Sequence, residues 1–144
     1  MTPPAGRGFL DTNVLVYSFD VAGHRVKREK ARELVNRALD KHDAVISYRV
    51  VQEFLNVAIR KPRPRMNQAE AQVYLTRVLM PLCEVFPTES LFSNALSIMD
   101  ETGWSFYDSL IVGSALSAEC RYLLTEDLQH GRTIRGLEIR NPFA

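Results

Sequence analysis

Short apolar runs alternate along the chain with longer stretches of helical periodicity. Gly8-Phe9-Leu10 runs into Asp11, which predicts a buried strand presenting an acidic side chain at its tip. Val14 to Tyr17 reads as the chain turning into its next packed segment. Ala31, Leu34, Val35, Ala38 and Leu39 recur at i, i+3, i+4, i+7 and i+8, predicting a helix over Lys27 to Lys41. Ala44-Val45-Ile46 is a second strand. Ser47 is placed to cap a helix from Tyr48 to Arg60, which Pro62 and Pro64 should stop. Asn67-Gln68-Ala69-Glu70 reads as a capping box opening a helix to Leu79, with Pro81 ending it. Glu84-Val85-Phe86 is a third strand. Thr88 begins a helix to about Glu101, whose expected buried stripe is Leu91, Phe92, Ala95, Leu96 and Met99. Ser105 begins another to about Ala118, with Asp108 three residues in. Tyr122-Leu123-Leu124 is a fourth strand, and Leu137-Glu138-Ile139 a candidate fifth.

Strands alternating with helices of this length predict βαβ units and a parallel sheet covered by helices on both faces. The 144 residues suit a single domain spanning 1–144, with 1–7 as a short flexible lead. A chain of this size buries roughly 68–70% of its unfolded surface and needs no staples. Cys83 and Cys120 are far apart and form no CxxC, so neither a disulfide scaffold nor a zinc site is expected. No run approaches the ~20 apolar residues of a membrane span, and the N-terminus has no signal-like apolar stretch. A cytoplasmic protein is expected.

Charge changes the picture only locally. Lys plus Arg is 18 against 17 Asp plus Glu, a net charge of +1. Coating of nucleic acid by bulk charge is therefore excluded. Fourteen of the basic residues are Arg, a side chain suited to phosphate or carboxylate partners. The run Lys61-Pro62-Arg63-Pro64-Arg65 is either a solvated loop or a phosphate-binding rim in which Arg63 and Arg65 would act.

Open α/β sheets bind ligands beyond the carboxyl ends of their strands, and four acidic residues map there. Asp11 ends the first strand. Glu53 lies just over a turn into the helix after the second, with Arg49, Asn56 and Arg60 on the same face. Asp127 follows the fourth strand, and Asp108 opens the helix before it. Read singly, Asp11 also suits an Asx turn, and Asp108 or Asp127 a helix cap. Together they form a cluster whose mutual repulsion a hard divalent cation would relieve. Thr12, Asn13, Ser109 and Thr125 are candidates to hold those ligands or their waters, with Asn56 beside Glu53. His130 reads as structural. Trp104 and Phe106 read as core packing that fixes the Asp108 segment.

Phe9-Leu10-Asp11-Thr12-Asn13-Val14-Leu15-Val16-Tyr17 resembles the opening signature of the PIN-domain nucleases. Val51-Gln52-Glu53-Phe54, Phe106-Tyr107-Asp108-Ser109-Leu110-Ile111 and Leu124-Thr125-Glu126-Asp127-Leu128 resemble their second, third and fourth motifs. Order and spacing are similar to a VapC-type toxin of a toxin–antitoxin pair, over about Gly8 to Phe143. The resemblance implies a three-layer α/β/α sandwich of four to five short strands in the order 3-2-1-4-5. It implies an endoribonuclease dependent on Mg²⁺ or Mn²⁺, with Asp11, Glu53, Asp108 and Asp127 as the acidic quartet, catalytic and metal-binding. It also implies a homodimer, and a VapB-type antitoxin that occupies the groove. In-line attack of water would leave 5′-phosphate and 3′-hydroxyl ends. Two other readings stand beside it: a non-catalytic RNA- or protein-binding module, and an aspartyl phosphotransferase or phosphatase using Asp11. The second lacks the acid often found two residues on, where Asn13 stands.

Overall fold

The chain is described by a computed structural model over residues 6–20, 23–60 and 65–144. β1 (Gly8–Leu10) and β2 (Ala44–Ser47) are buried along their whole length, as suits strands covered on both faces. α1 (Thr12–Phe19) and α2 (Arg25–Lys41) connect them, and α2 ends on His42 in the left-handed region at φ 57°. α3 (Tyr48–Ala58) starts where Ser47 Oγ accepts the Val50 N–H. α4 (Gln68–Tyr74) opens with the full reciprocal capping box between Asn67 and Glu70. A π-helical turn (Leu75–Leu79) and α5 (Met80–Leu82) lead into β3 (Cys83–Val85). α6 (Glu89–Thr102) and α7 (Phe106–Ser117) are capped by Thr88 and Ser105. β4 (Tyr122–Leu124), β5 (Thr133–Ile134) and β6 (Leu137–Arg140) complete the order.

The sheet of the described residues has six strands, ordered β3-β2-β1-β4-β6-β5. All neighbours are parallel except β5 and β6. β1 sits at the centre, with Phe9 opposite Val45 on one side and Leu123 on the other. α1 packs on α2 and α6 on α7, giving a three-layer α/β/α arrangement. The expected order 3-2-1-4-5 is present, its fifth strand being β6. The sequence reading missed β5, which adds an antiparallel edge through a two-residue hairpin. Arg135 and Gly136 both take positive φ there, 49° and 84°, as this turn requires.

Four further expectations are corrected. Val14 to Tyr17 lies inside a helix, α1, capped by Asp11 itself. Pro81 does not end its helix, which runs on to Leu82. The π turn before it, where Met80 N–H bonds to Leu75 O, relieves the clash an α-helical proline makes with the carbonyl four residues back. α3 stops at Ala58, and the prolines expected to stop it lie outside the described residues. On α6 the buried stripe is Leu91, Ala95 and Ile98, whereas Phe92, Leu96 and Met99 are exposed. Two apolar stripes adjoin on this helix, and α7 selects between them. Its Gly113 faces the Leu91, Ala95 and Ile98 stripe, where an added Cβ would make ordinary van der Waals contact, 3.7 Å from Ile98 Cδ1 and 3.8 Å from Ala95 N.

Candidate active site

β1 and β4 are neighbours in the sheet although more than a hundred residues apart, and the chain beyond their carboxyl ends builds one connected polar cluster. Asp11 caps α1, its Oδ1 accepting the Thr12 N–H at 2.7 Å. Its Oδ2 accepts the Thr125 hydroxyl at 2.6 Å. Thr125 Oγ1 in turn accepts the Asp127 N–H at 3.0 Å. Asn13 Nδ2 donates to Asp127 Oδ2 at 3.1 Å and reaches Thr125 Oγ1 at 3.5 Å. Asp11 and Thr125 are buried, and both carboxylate oxygens of Asp11 are fixed, one by the first residue of α1 and one by the residue after β4.

Glu53 on α3 and Asp108 on α7 approach from the flanking helices. All four carboxylates, Asp11, Glu53, Asp108 and Asp127, line one cavity of about 90 Å³ with Ser47, Arg49, Tyr107 and Ser114. That volume holds several waters. Among the described residues, Arg49 is the sole basic one in the lining. Its Nε stands 3.3 Å from Glu53 Oε1, and its guanidinium lies 4.3 Å from the centre of the Tyr107 ring.

Burial pushes the Asp11 carboxyl up to about 6. The hydrogen bonds from Thr125 and Thr12 oppose this, and the charges of Asp127 and Glu53 reinforce it. Burial also raises Glu53, against Arg49 and with Asp127. Negative charge is thus in excess where the carboxylates meet. Among the described residues no three His, Cys, Asp or Glu side chains already form a metal-ligand set. The donor chemistry nonetheless fits a hard cation: the acidic groups are all oxygen donors, and Asn13 Oδ1 is buried without a hydrogen-bond partner.

The other expected residues separate. Thr12 acts through its N–H, and its buried Oγ1 has no hydrogen-bond partner; nor has the buried Ser109 Oγ. Asn56 is exposed and outside the cavity lining, because α3 turns it to solvent. Arg65 is exposed and also outside the lining. Arg63 lies outside the described residues. His130 Nδ1 accepts the Asn141 N–H at 2.9 Å, a structural role. Ser105 Oγ accepts the Asp108 N–H at 3.2 Å, while the Asp108 side chain lines the cavity. Tyr107 and Ser114 were not singled out from the sequence. Their signal was helical spacing: Tyr107, Leu110, Ile111 and Ser114 all line the cavity at i, i+3, i+4 and i+7.

A family model described as the PIN domain matches residues 8–135. The chain belongs to the PIN-domain family. No curated protein sequence matches it. Solved structures share the PIN fold at low identity. A toxin–antitoxin complex from Klebsiella pneumoniae aligns at 18% identity and TM-score 0.66, covering 94% of this chain and 97% of that one. A DNA-bound VapBC from Salmonella typhimurium aligns at 22% and 0.65, covering 94% and 98%. VapC20 of Mycobacterium tuberculosis, a toxin cleaving the sarcin–ricin loop, aligns at 18% and 0.58, covering 83% and 91%. No helix among the described residues of this PIN domain is long and apolar enough to cross a membrane.

Proposed function

We propose that this PIN domain is a divalent-metal-dependent endoribonuclease and the toxin of a type II toxin–antitoxin pair that inhibits translation or growth. The observation that carries the reading is the meeting of Asp11, Glu53, Asp108 and Asp127 in one cavity, the four acids of the four motifs. They would hold Mg²⁺ or Mn²⁺, which when bound supplies a Lewis acid and lowers the pKa of water. The chain's own contribution is positional. Thr125 and the Thr12 N–H lock Asp11, and Asn13 steadies Asp127. Asn13 is engaged with Asp127 and Thr125, which leaves a phosphotransferase without its second acid. The likeness to toxin–antitoxin complexes supports a VapB-type antitoxin as partner; the working form proposed with it is a homodimer in the cytoplasm.

The test is cleavage of a labelled mixed RNA pool by partner-free protein with Mg²⁺, with Mn²⁺ and with EDTA. Cutting is expected with metal only, leaving 5′-phosphate ends, and Asp11→Asn is expected to lose it at least a hundredfold (about 3 kcal/mol). Undiminished cutting by pure Asp11→Asn protein would overturn the site. RNA binding that ignores Asp11 and never leads to cutting would favour a binding module.

A further inference from the structure

We propose that Tyr107 is a nucleobase platform: an unpaired RNA base next to the phosphate at the carboxylate cavity stacks on its ring, with Arg49 bracing the other face. This rests on the endoribonuclease reading above. Tyr107 sits in the first turn of α7, one residue before Asp108, and is 59% exposed. Its neighbours Trp104 and Phe106 are partly buried against the core.

The cavity size makes the rim matter. About 90 Å³ takes water and phosphate oxygens, but ligand-sized pockets run to about 300 Å³ and more. A base flanking a phosphate held there must lie outside, against the rim. Among the described residues, Tyr107 is the sole aromatic in the lining. Its plane is already set. The Arg49 guanidinium lies over the ring at 4.3 Å, and its Nε is ion-paired with Glu53 at 3.3 Å. Phe106 meets the ring edge-on, with centroids 5.6 Å apart at 69°. A ring held in this way loses little freedom on stacking. Proteins that bind single-stranded RNA use aromatic faces and Arg planes for this purpose, and they tolerate any base.

The experiment uses the whole chain with Mg²⁺ and randomised single-stranded RNA carrying 2-aminopurine, followed by stopped-flow fluorescence and by cleavage kinetics. Stacking is expected as a quench that precedes cutting. Tyr107→Ala is expected to abolish the quench and raise KM about 5- to 150-fold, with kcat changed much less. Tyr107→Phe should restore both, because the ring alone carries the contact. Circular dichroism on the variants checks that they fold. If the wild type cuts and Tyr107→Ala keeps the quench with an unchanged KM, the platform alone is overturned. If the wild type neither binds nor cuts, the nuclease reading falls and the platform with it.

Discussion

At the scale of single residues, Asp11 serves two structures at once. Its Oδ1 begins α1 through the Thr12 N–H, and its Oδ2 ties β1 to the segment after β4 through Thr125. Burial nonetheless raises its carboxyl from 3.8 to about 6. Between those values the folded chain keeps a proton that the unfolded chain has released. Stability should therefore fall as pH rises from about 4 to about 6 and stay low above that. The difference corresponds to about 3 kcal/mol. Asp11→Asn should flatten that stretch of the melting-temperature profile in EDTA. Near pH 8 the variant is expected to melt above the wild type, since Asn keeps an oxygen for Thr12 and carries no charge. Mg²⁺ should raise the melting temperature of the wild type more than that of the variant. A wild-type profile flat across pH 4 to 6 would contradict the charge excess described here.

At the scale of elements, α6 offers the sharpest contrast. Ile98 is fully buried against α7, and Leu96 is 56% exposed. Ile98→Ala should cost about 2–5 kcal/mol and Leu96→Gln less than about 0.5 kcal/mol, both measured by urea denaturation. Equal losses would mean that the helix is rotated from the position given. Such choices explain what could be read in advance. The caps Ser47, Asn67, Thr88 and Ser105 were legible because each hydrogen bond spans three residues of local sequence. Asp11, Asp108 and Asp127 were legible because each follows a strand or opens a helix, and Glu53 because it lies just over a turn into the helix that leaves β2. The face buried by α6 depended on its packing against α7, the next helix along the chain. The β5–β6 hairpin depended on Arg135 in the left-handed region, held by Glu101 at 2.8 Å and Ser97 at 3.0 Å. The pairing of Arg49 with Tyr107 joins two helices nearly sixty residues apart. Neither partner announces the other in the sequence.

At the scale of the whole molecule, the centre of the sheet carries both the core and the site. Phe9, Leu10 and Leu123 are fully buried, and β1 is paired on both sides. Amide hydrogen exchange should therefore be slowest at β1 and β4, and much faster at β5, whose two residues pair on one side only. Equal protection across the sheet would count against this ordering. Distant segments are also tied together by charge. Arg7 meets Glu84 at 2.9 Å, and Lys27 meets Glu126 at 3.0 Å beside the Tyr17 and Phe143 rings. The second tie brings α2, the segment after β4 and the chain's last residues together.

The margins of the sheet have a different consequence. On one side it ends in β3, three residues long, with the Glu84 carboxylate held by Arg7. On the other it ends in β5, two residues long and turned antiparallel, so that the longer β6 is not left at the margin. Unpaired strand edges are templates on which a neighbouring chain can add itself, and short ones template poorly. The small hairpin that the periodicity of the sequence did not reveal thus works against open-ended growth by strand addition at the sheet margin.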